Sequence, residues 1–161
     1  MQTQRSPYPR MAAVLLALLG MFDAAYLALE RAVGDPGGFC PTGGGCVTVQ
    51  SSVYSTLLGV PVAYIGVVGY AALLAVALLS LSADEVAGLR LPVLLLGLAS
   101  GGVLFALYLS YLQVVVIGAI CFWCVVSALI ELGIWAAALF DWRLLRAHPH
   151  IRGRDDAVSL E

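Results

Sequence analysis

Lysine is absent from this chain, and charge of any kind is scarce. Only 11% of its 161 residues are Asp, Glu, Lys or Arg, against about 25% in an ordinary soluble domain. That shortage excludes the basic surface that nucleic-acid binding demands, so no nucleic-acid partner is expected. Histidine is confined to His148 and His150 near the C-terminus. The apolar part of the chain therefore holds no ligands for a bis-histidine haem and no histidine general base. Internal repeats are also missing, as is any strand–helix–strand pattern of the kind that builds a thioredoxin-like domain.

What the chain has is apolar sequence: 61% of residues are hydrophobic. The runs place four membrane spans at residues 11–29, 60–81, 91–112 and within 114–140. Each is close to the roughly 20 residues a helix needs to cross the hydrocarbon core. The last run exceeds one crossing, so a turn is expected over 113–119, with the fourth span starting near Cys121. The first run is longer than the apolar core of a cleaved signal peptide, which makes it the first span. The fold class that follows is an all-α integral membrane protein, a four-transmembrane-helix bundle. Gly66, Gly69, Gly97 and Gly101 are suited to close helix approach.

Arginine sets the orientation. Arg5, Arg10, Arg90, Arg143, Arg146, Arg152 and Arg154 flank one side of the spans, and only Arg31 flanks the other. This bias puts both termini in the cytoplasm. The organisation expected is a cytoplasmic segment at 1–10, a membrane domain at 11–140 with an extracytoplasmic loop at 30–59, and a cytoplasmic tail at 141–161. Within the loop, 34–45 is Gly-rich turn sequence and is expected to be mobile. Residues 47–58 read as an interfacial half-helix capping the bundle, and Pro61 suits the first turn of span two.

Four cysteines form two local pairs, both on the side where disulfides persist. Cys40 and Cys46 lie in the loop. Cys121 and Cys124 form a C-x-x-C at the start of span four, three residues apart and so on one helix face. Three readings are open: a redox pair, half of an all-cysteine zinc site, or inert buried thiols. Gly-rich C-x5-C spacing and an oxidising compartment work against zinc. Two pairs on one side work against chance, and redox is the preferred reading. A helix start favours thiolate, and a flexible loop would let Cys46 reach Cys121 for in-line exchange.

In their order, these features are a loop cysteine pair, Ser52 six residues after Cys46, a short half-helix leading to Gly59-Val60-Pro61, and a C-x-x-C opening the fourth helix. The chain resembles the vitamin K epoxide reductase family over about residues 10–140, its prokaryotic members above all. The resemblance implies a four-helix bundle around a quinone (menaquinone, ubiquinone or vitamin K). It implies a thiol–quinone oxidoreductase that promotes disulfide formation, in a bacterial inner membrane with its active site outside. Cys124 would stand beside the quinone, Cys121 would be its exchange partner, Cys46 would exchange with Cys121, and Cys40 would receive electrons from outside. Ser52 matches the family's loop Ser/Thr. Ser55 falls where a polar residue, Asn in animal members, bonds a quinone carbonyl. Where animal members place a Tyr for a further hydrogen bond, this chain has Ala128, leaving Ser127, Tyr64 or Tyr111 as substitutes. The departure favours disulfide formation over the animal-type reduction of vitamin K and its epoxide. The implied partners are an extracytoplasmic thioredoxin-fold thiol carrier or substrate protein, the membrane quinone pool and the lipid bilayer. No metal is implied.

Two acidic residues interrupt the apolar runs. Glu131 falls near mid-membrane, seven residues after Cys124, and is either a functional group or a protonated packing residue. Asp23 lies toward the outer part of span one, near the thiols or paired with Arg31. Phe122 and Trp123 read as an interfacial aromatic belt, with a wall of the quinone pocket as the other role for Trp123. A different class remains: a transporter or structural bundle with stabilising disulfides, in which Glu131 and Asp23 line a path. Paired broken helices, common in transporters, are not evident.

Overall fold

The computed structural model describes residues 8–34, 38–41, 43–86 and 88–147. Expectations for residues 1–7, for 35–37 and Thr42 of the loop, and for the tail beyond Ala147 with His148, His150, Arg152 and Arg154 lie outside the described residues.

Four long helices form the bundle: α1 (Tyr8–Val33), α3 (Val62–Ser82), α4 (Leu91–Tyr111) and α5 (Phe122–Ala147). A short α2 (Gly45–Ser51) follows the loop after α1. All four long helices are apolar and long enough to cross a bilayer, and the chain is an integral membrane protein. Apolar side chains cover most of their circumference because the solvent on the outside is lipid. The interior seam mixes alanines with a few larger apolar side chains. Ala13, Ala17 and Ala24 of α1 pack with Leu73 and Ala77 of α3, Leu95 and Ala99 of α4, and Ile134 and Ala138 of α5. Small residues let helices approach where no hydrophobic force drives them together. Of the four glycines expected to serve close contact, Gly66 does so, and Gly20 and Gly133 do so as well. Gly20 lies against the Tyr70 ring, Gly66 against Ala24, and Gly133 against Leu16, whereas Gly69, Gly97 and Gly101 have open space where a Cβ would stand.

Three expected boundaries are corrected. The half-helix over 47–58 ends early, because α2 stops at Ser51 and a 3-10 turn occupies Val53–Ser55. The Ser52 hydroxyl donates to the carbonyl of Val49 at 2.7 Å, a local bond that competes with helix continuation. Strands β1 (Thr56–Leu57) and β2 (Val60–Pro61) then form a hairpin. Its turn residues Leu58 and Gly59 both have positive φ, as a type I′ turn requires. Pro61 therefore sits just before α3 rather than in its first turn.

The turn expected over 113–119 is mostly helix. Beyond α4, Leu112–Ile117 continue as a π-helical turn, and only Gly118 to Cys121 leave the helical path. Gly118 breaks it with φ 68°, the left-handed conformation that glycine adopts at helix ends. The tail expected from residue 141 begins as helix, since α5 runs to Ala147 and Asp141 is buried.

That burial reveals an ion cluster at the end of the bundle remote from the cysteines. Arg10 of α1 bonds both carboxylate oxygens of Asp141 on α5 at 3.1 Å. It also donates to the Ser80 carbonyl of α3 and to Asp84 in the turn before α4. Strands β3 (Glu85–Val86) and β4 (Leu89–Arg90) close that turn. Arg10 and Asp141 have side chains only 11% and 10% exposed, so removing one partner strands a buried charge. Arg10→Ala is expected to lower stability in detergent by about 3 kcal/mol, read as a reduced denaturation midpoint. A shift no larger than that of the exposed Arg143→Ala would contradict this role.

Candidate functional site

Both cysteine pairs lie at the opposite end, where α1 ends, α2 caps the bundle and α5 begins. Cys40 and Cys46 form a disulfide with a Cα–Cα distance of 6.0 Å. Cys46 is fully buried on α2, while Cys40 is partly exposed. Cys46 therefore belongs to a packed helix and not to a swinging loop. A Cβ on Gly45 would collide with the backbone carbonyl of Ile120. Only glycine lets α2 press against the segment that leads into Cys121.

Cys121 is also fully buried. It stands immediately before α5, and its sulfur accepts the backbone N–H of Cys124 at 3.3 Å, so it caps the helix. The two sulfurs are 2.6 Å apart, with Cys124 donating its S–H to Cys121. This hydrogen bond holds the Cys121 thiol below its ordinary pKa, against the opposing effects of burial and of the Asp23 carboxyl. Cys121 is thus the more acidic thiol of the pair.

Gln113 positions this arrangement. Its buried side-chain oxygen accepts the Cys121 N–H at 2.9 Å. Its backbone carbonyl accepts the N–H groups of Gly118 and Ala119. One residue therefore satisfies three amides of the break between the helices. Sequence reading missed Gln113. The available signal was an amide side chain within the run from Leu112 to Ile117, where a polar group needs a partner.

Trp123 points outward. Its ring packs against Tyr26, Phe39 and Phe122, and its indole N–H donates to the Phe39 carbonyl at 2.7 Å. The C-x-x-C thereby holds the residue preceding Cys40. Glu30 adds a second tie, accepting from Tyr26, from Gln50 and from the Phe39 N–H. Arg31 does not pair with Asp23; it donates to the Gln50 carbonyl at 2.8 Å.

A cavity of about 180 Å³ lies between the helices and reaches Cys124. Its lining is mainly apolar, with Cys124, Ser52, Ser55, Ser127 and Glu131 among the polar contributors. Cys121 and Trp123 are not in its wall, and neither are Tyr64 and Tyr111; of the substitutes named for the missing tyrosine, only Ser127 is. Tyr70, not singled out from sequence, also lines it and bonds the Ser127 hydroxyl at 2.9 Å. The Ser52 hydroxyl is engaged with Val49, whereas the buried Ser55 hydroxyl has no hydrogen-bond partner among the described residues. With Cys40 and Cys46 joined, an all-cysteine zinc set lacks two thiolates.

Fold and site together define a four-helix membrane protein with two cysteine pairs at one end of an apolar cavity. The profile of the vitamin K epoxide reductase family matches residues 11–139, and the chain belongs to that family. It is also similar to the thiol-disulfide oxidoreductase LTO1 of Arabidopsis thaliana, 32% identical over 138 residues, covering 77% of this chain and 34% of that protein. The chain thus spans about a third of the length of this curated relative.

Loss of the Cys124 thiol removes the strongest influence on Cys121. In a background lacking Cys40 and Cys46, Cys124→Ala is expected to move the Cys121 titration to higher pH, followed by thiolate ultraviolet absorbance. An unchanged or lowered midpoint would contradict Cys121 as the more acidic thiol of the pair.

Proposed function

We propose that this protein is a membrane thiol–quinone oxidoreductase that takes electrons from extracytoplasmic thiols and promotes disulfide formation. The observation that carries the reading is the cavity: apolar, walled by Cys124, and lined by Ser55, whose hydroxyl has no partner among the described residues. A buried hydroxyl without a partner is costly unless a ligand acceptor satisfies it. A flat apolar ring bearing a carbonyl oxygen fits both features. Cys124 and Ser55 would hold the quinone, with Ser52 in the cavity wall tied to Val49; the quinone would supply a two-electron, two-proton acceptor.

The thiol steps follow from burial and charge. Cys40 is the accessible member of the outer pair, so an external dithiol (a thioredoxin-fold carrier or a substrate protein) attacks there and reduces the Cys40–Cys46 bond. The Cys46 thiolate then attacks Cys121 of the oxidised Cys121–Cys124 pair, and Cys124 leaves. Cys40 resolves the mixed disulfide by attacking Cys46, and Cys121 leaves as the thiolate. A low thiol pKa makes a good leaving group, which suits the Cys121 environment. Two electrons have then moved from the outer to the inner pair, beside the cavity wall.

The sidedness is part of the proposal. Arg10, Arg90, Arg143 and Arg146 gather at the end remote from the cysteines, which the positive-inside rule places in the cytoplasm. The cysteines then face the oxidising compartment, the periplasmic side of a bacterial inner membrane.

Quinone reduction by the purified protein with dithiothreitol tests the reading. Cys121→Ser and Cys124→Ser are expected to abolish turnover, while Cys40→Ser and Cys46→Ser retain it, because dithiothreitol bypasses the outer pair. Absence of turnover in the wild type with menaquinone, ubiquinone and phylloquinone would refute the enzyme reading.

A further inference from the structure

The thiol relay leaves three buried carboxyl oxygens without a role. Both oxygens of Asp23 and Oε1 of Glu131 have no hydrogen-bond partner among the described residues, although both side chains are more than nine-tenths buried. In a membrane such groups are costly and point to function. The two differ in place. Glu131 lines the cavity and Asp23 does not. Room for the Glu131 carboxyl is made by Gly102 of α4, where any Cβ would strike Oε1.

Cys124, Ser127 and Glu131 are spaced i, i+3 and i+7 along α5, one stripe of a helix, and all three face the cavity. The Ser127 hydroxyl bonds the Tyr70 phenol at 2.9 Å. Tyr70 of α3 interacts electrostatically with both Glu131 and Asp23 of α1, Cys124 lines the same cavity from α5, and α4 presents Gly102 to the carboxyl.

From this geometry we infer that Glu131 is a proton-transfer residue for the acceptor bound in the cavity, an inference that rests on the quinone reading above. As the Cys121–Cys124 bond forms from a thiolate at Cys121 and a thiol at Cys124, the pair gives up two electrons and one proton, and a quinone takes up the two electrons and two protons, the second proton coming from water. Protonated Glu131 gives one proton to the acceptor oxygen at its end of the cavity. The carboxylate left behind recovers a proton released at Cys124, with Ser127 between them on the stripe. The carboxyl ends each cycle as it began, so atoms and charge balance. The transporter-like alternative for this residue, a path across the membrane, is not required.

The test compares wild type with Glu131→Gln, which keeps shape and hydrogen bonding but cannot carry the proton, and with Glu131→Leu, which keeps neither. Equilibrium binding of a short-chain naphthoquinone is measured beside dithiothreitol-driven turnover from pH 5 to 9. The expected result is near-wild-type binding in Glu131→Gln, with kcat reduced about 100-fold and one limb of the pH profile lost. Glu131→Leu is expected to weaken binding as well. Wild-type kcat and pH profile in Glu131→Gln would overturn the inference and leave the quinone reading standing. Binding lost together with rate in Glu131→Gln would also overturn it, by assigning Glu131 to cavity shape. No turnover in the wild type would refute the quinone reading, and this inference with it.

Discussion

A backbone amide buried away from water must find a hydrogen-bond partner inside the protein. The break between α4 and α5 meets this constraint through Gln113. Two amides fall to its carbonyl and a third, that of Cys121, to its side chain. The last of these bonds places Cys121 at the start of α5 and turns its sulfur back over the first turn. From that position follow the sulfur–sulfur contact that lowers the Cys121 pKa and the access of Cys124 to the cavity. The π-helical turn from Leu112 to Ile117 belongs to the same device. Wide turns of this kind recur at functional sites, and here the turn carries the chain to the Gly118 break.

The two ends of the bundle are specialised in opposite ways. At one end Arg10 joins α1, α3, α5 and the turn before α4 in a buried ion cluster that fixes their relative positions. At the other end aromatic packing around Trp123 and the hydrogen bonds to Glu30 hold α2 and its disulfide over the helix ends. Between them a seam rich in alanine closes the bundle on one side, and the cavity opens beside it toward Cys124.

The four spans, their order and the paired cysteines were legible in the sequence because each depends on long apolar runs or on residue type. The excess length of the last apolar run placed the start of the fourth helix near Cys121, and α5 begins at Phe122. Details decided by single side-chain contacts were not legible. Nothing in the spacing of Gly20, Gly102 and Gly133 marks them as close-contact positions, since each is chosen by the one neighbour that would collide. Arg10 was read for its charge alone, because its partners on three other elements are set by tertiary packing. The Val47–Leu58 segment is amphipathic enough for a helix, yet the Ser52 backbone bond and the positive φ of Leu58 and Gly59 divert it into a turn and hairpin. Burial of Cys46, against the expectation of a mobile loop, follows from the contact of Gly45 with Ile120.

Transfer between the two pairs is the central claim, and it requires Cys46 and Cys121 to form a bond with each other. The most direct measurement is trapping that bond in a Cys40→Ser/Cys124→Ser variant and mapping disulfides by mass spectrometry without reduction. A Cys46–Cys121 peptide formed within one chain is the result the account requires. Both thiols recovered free after oxidation, with the fold intact, would contradict it and separate the outer disulfide from the inner pair.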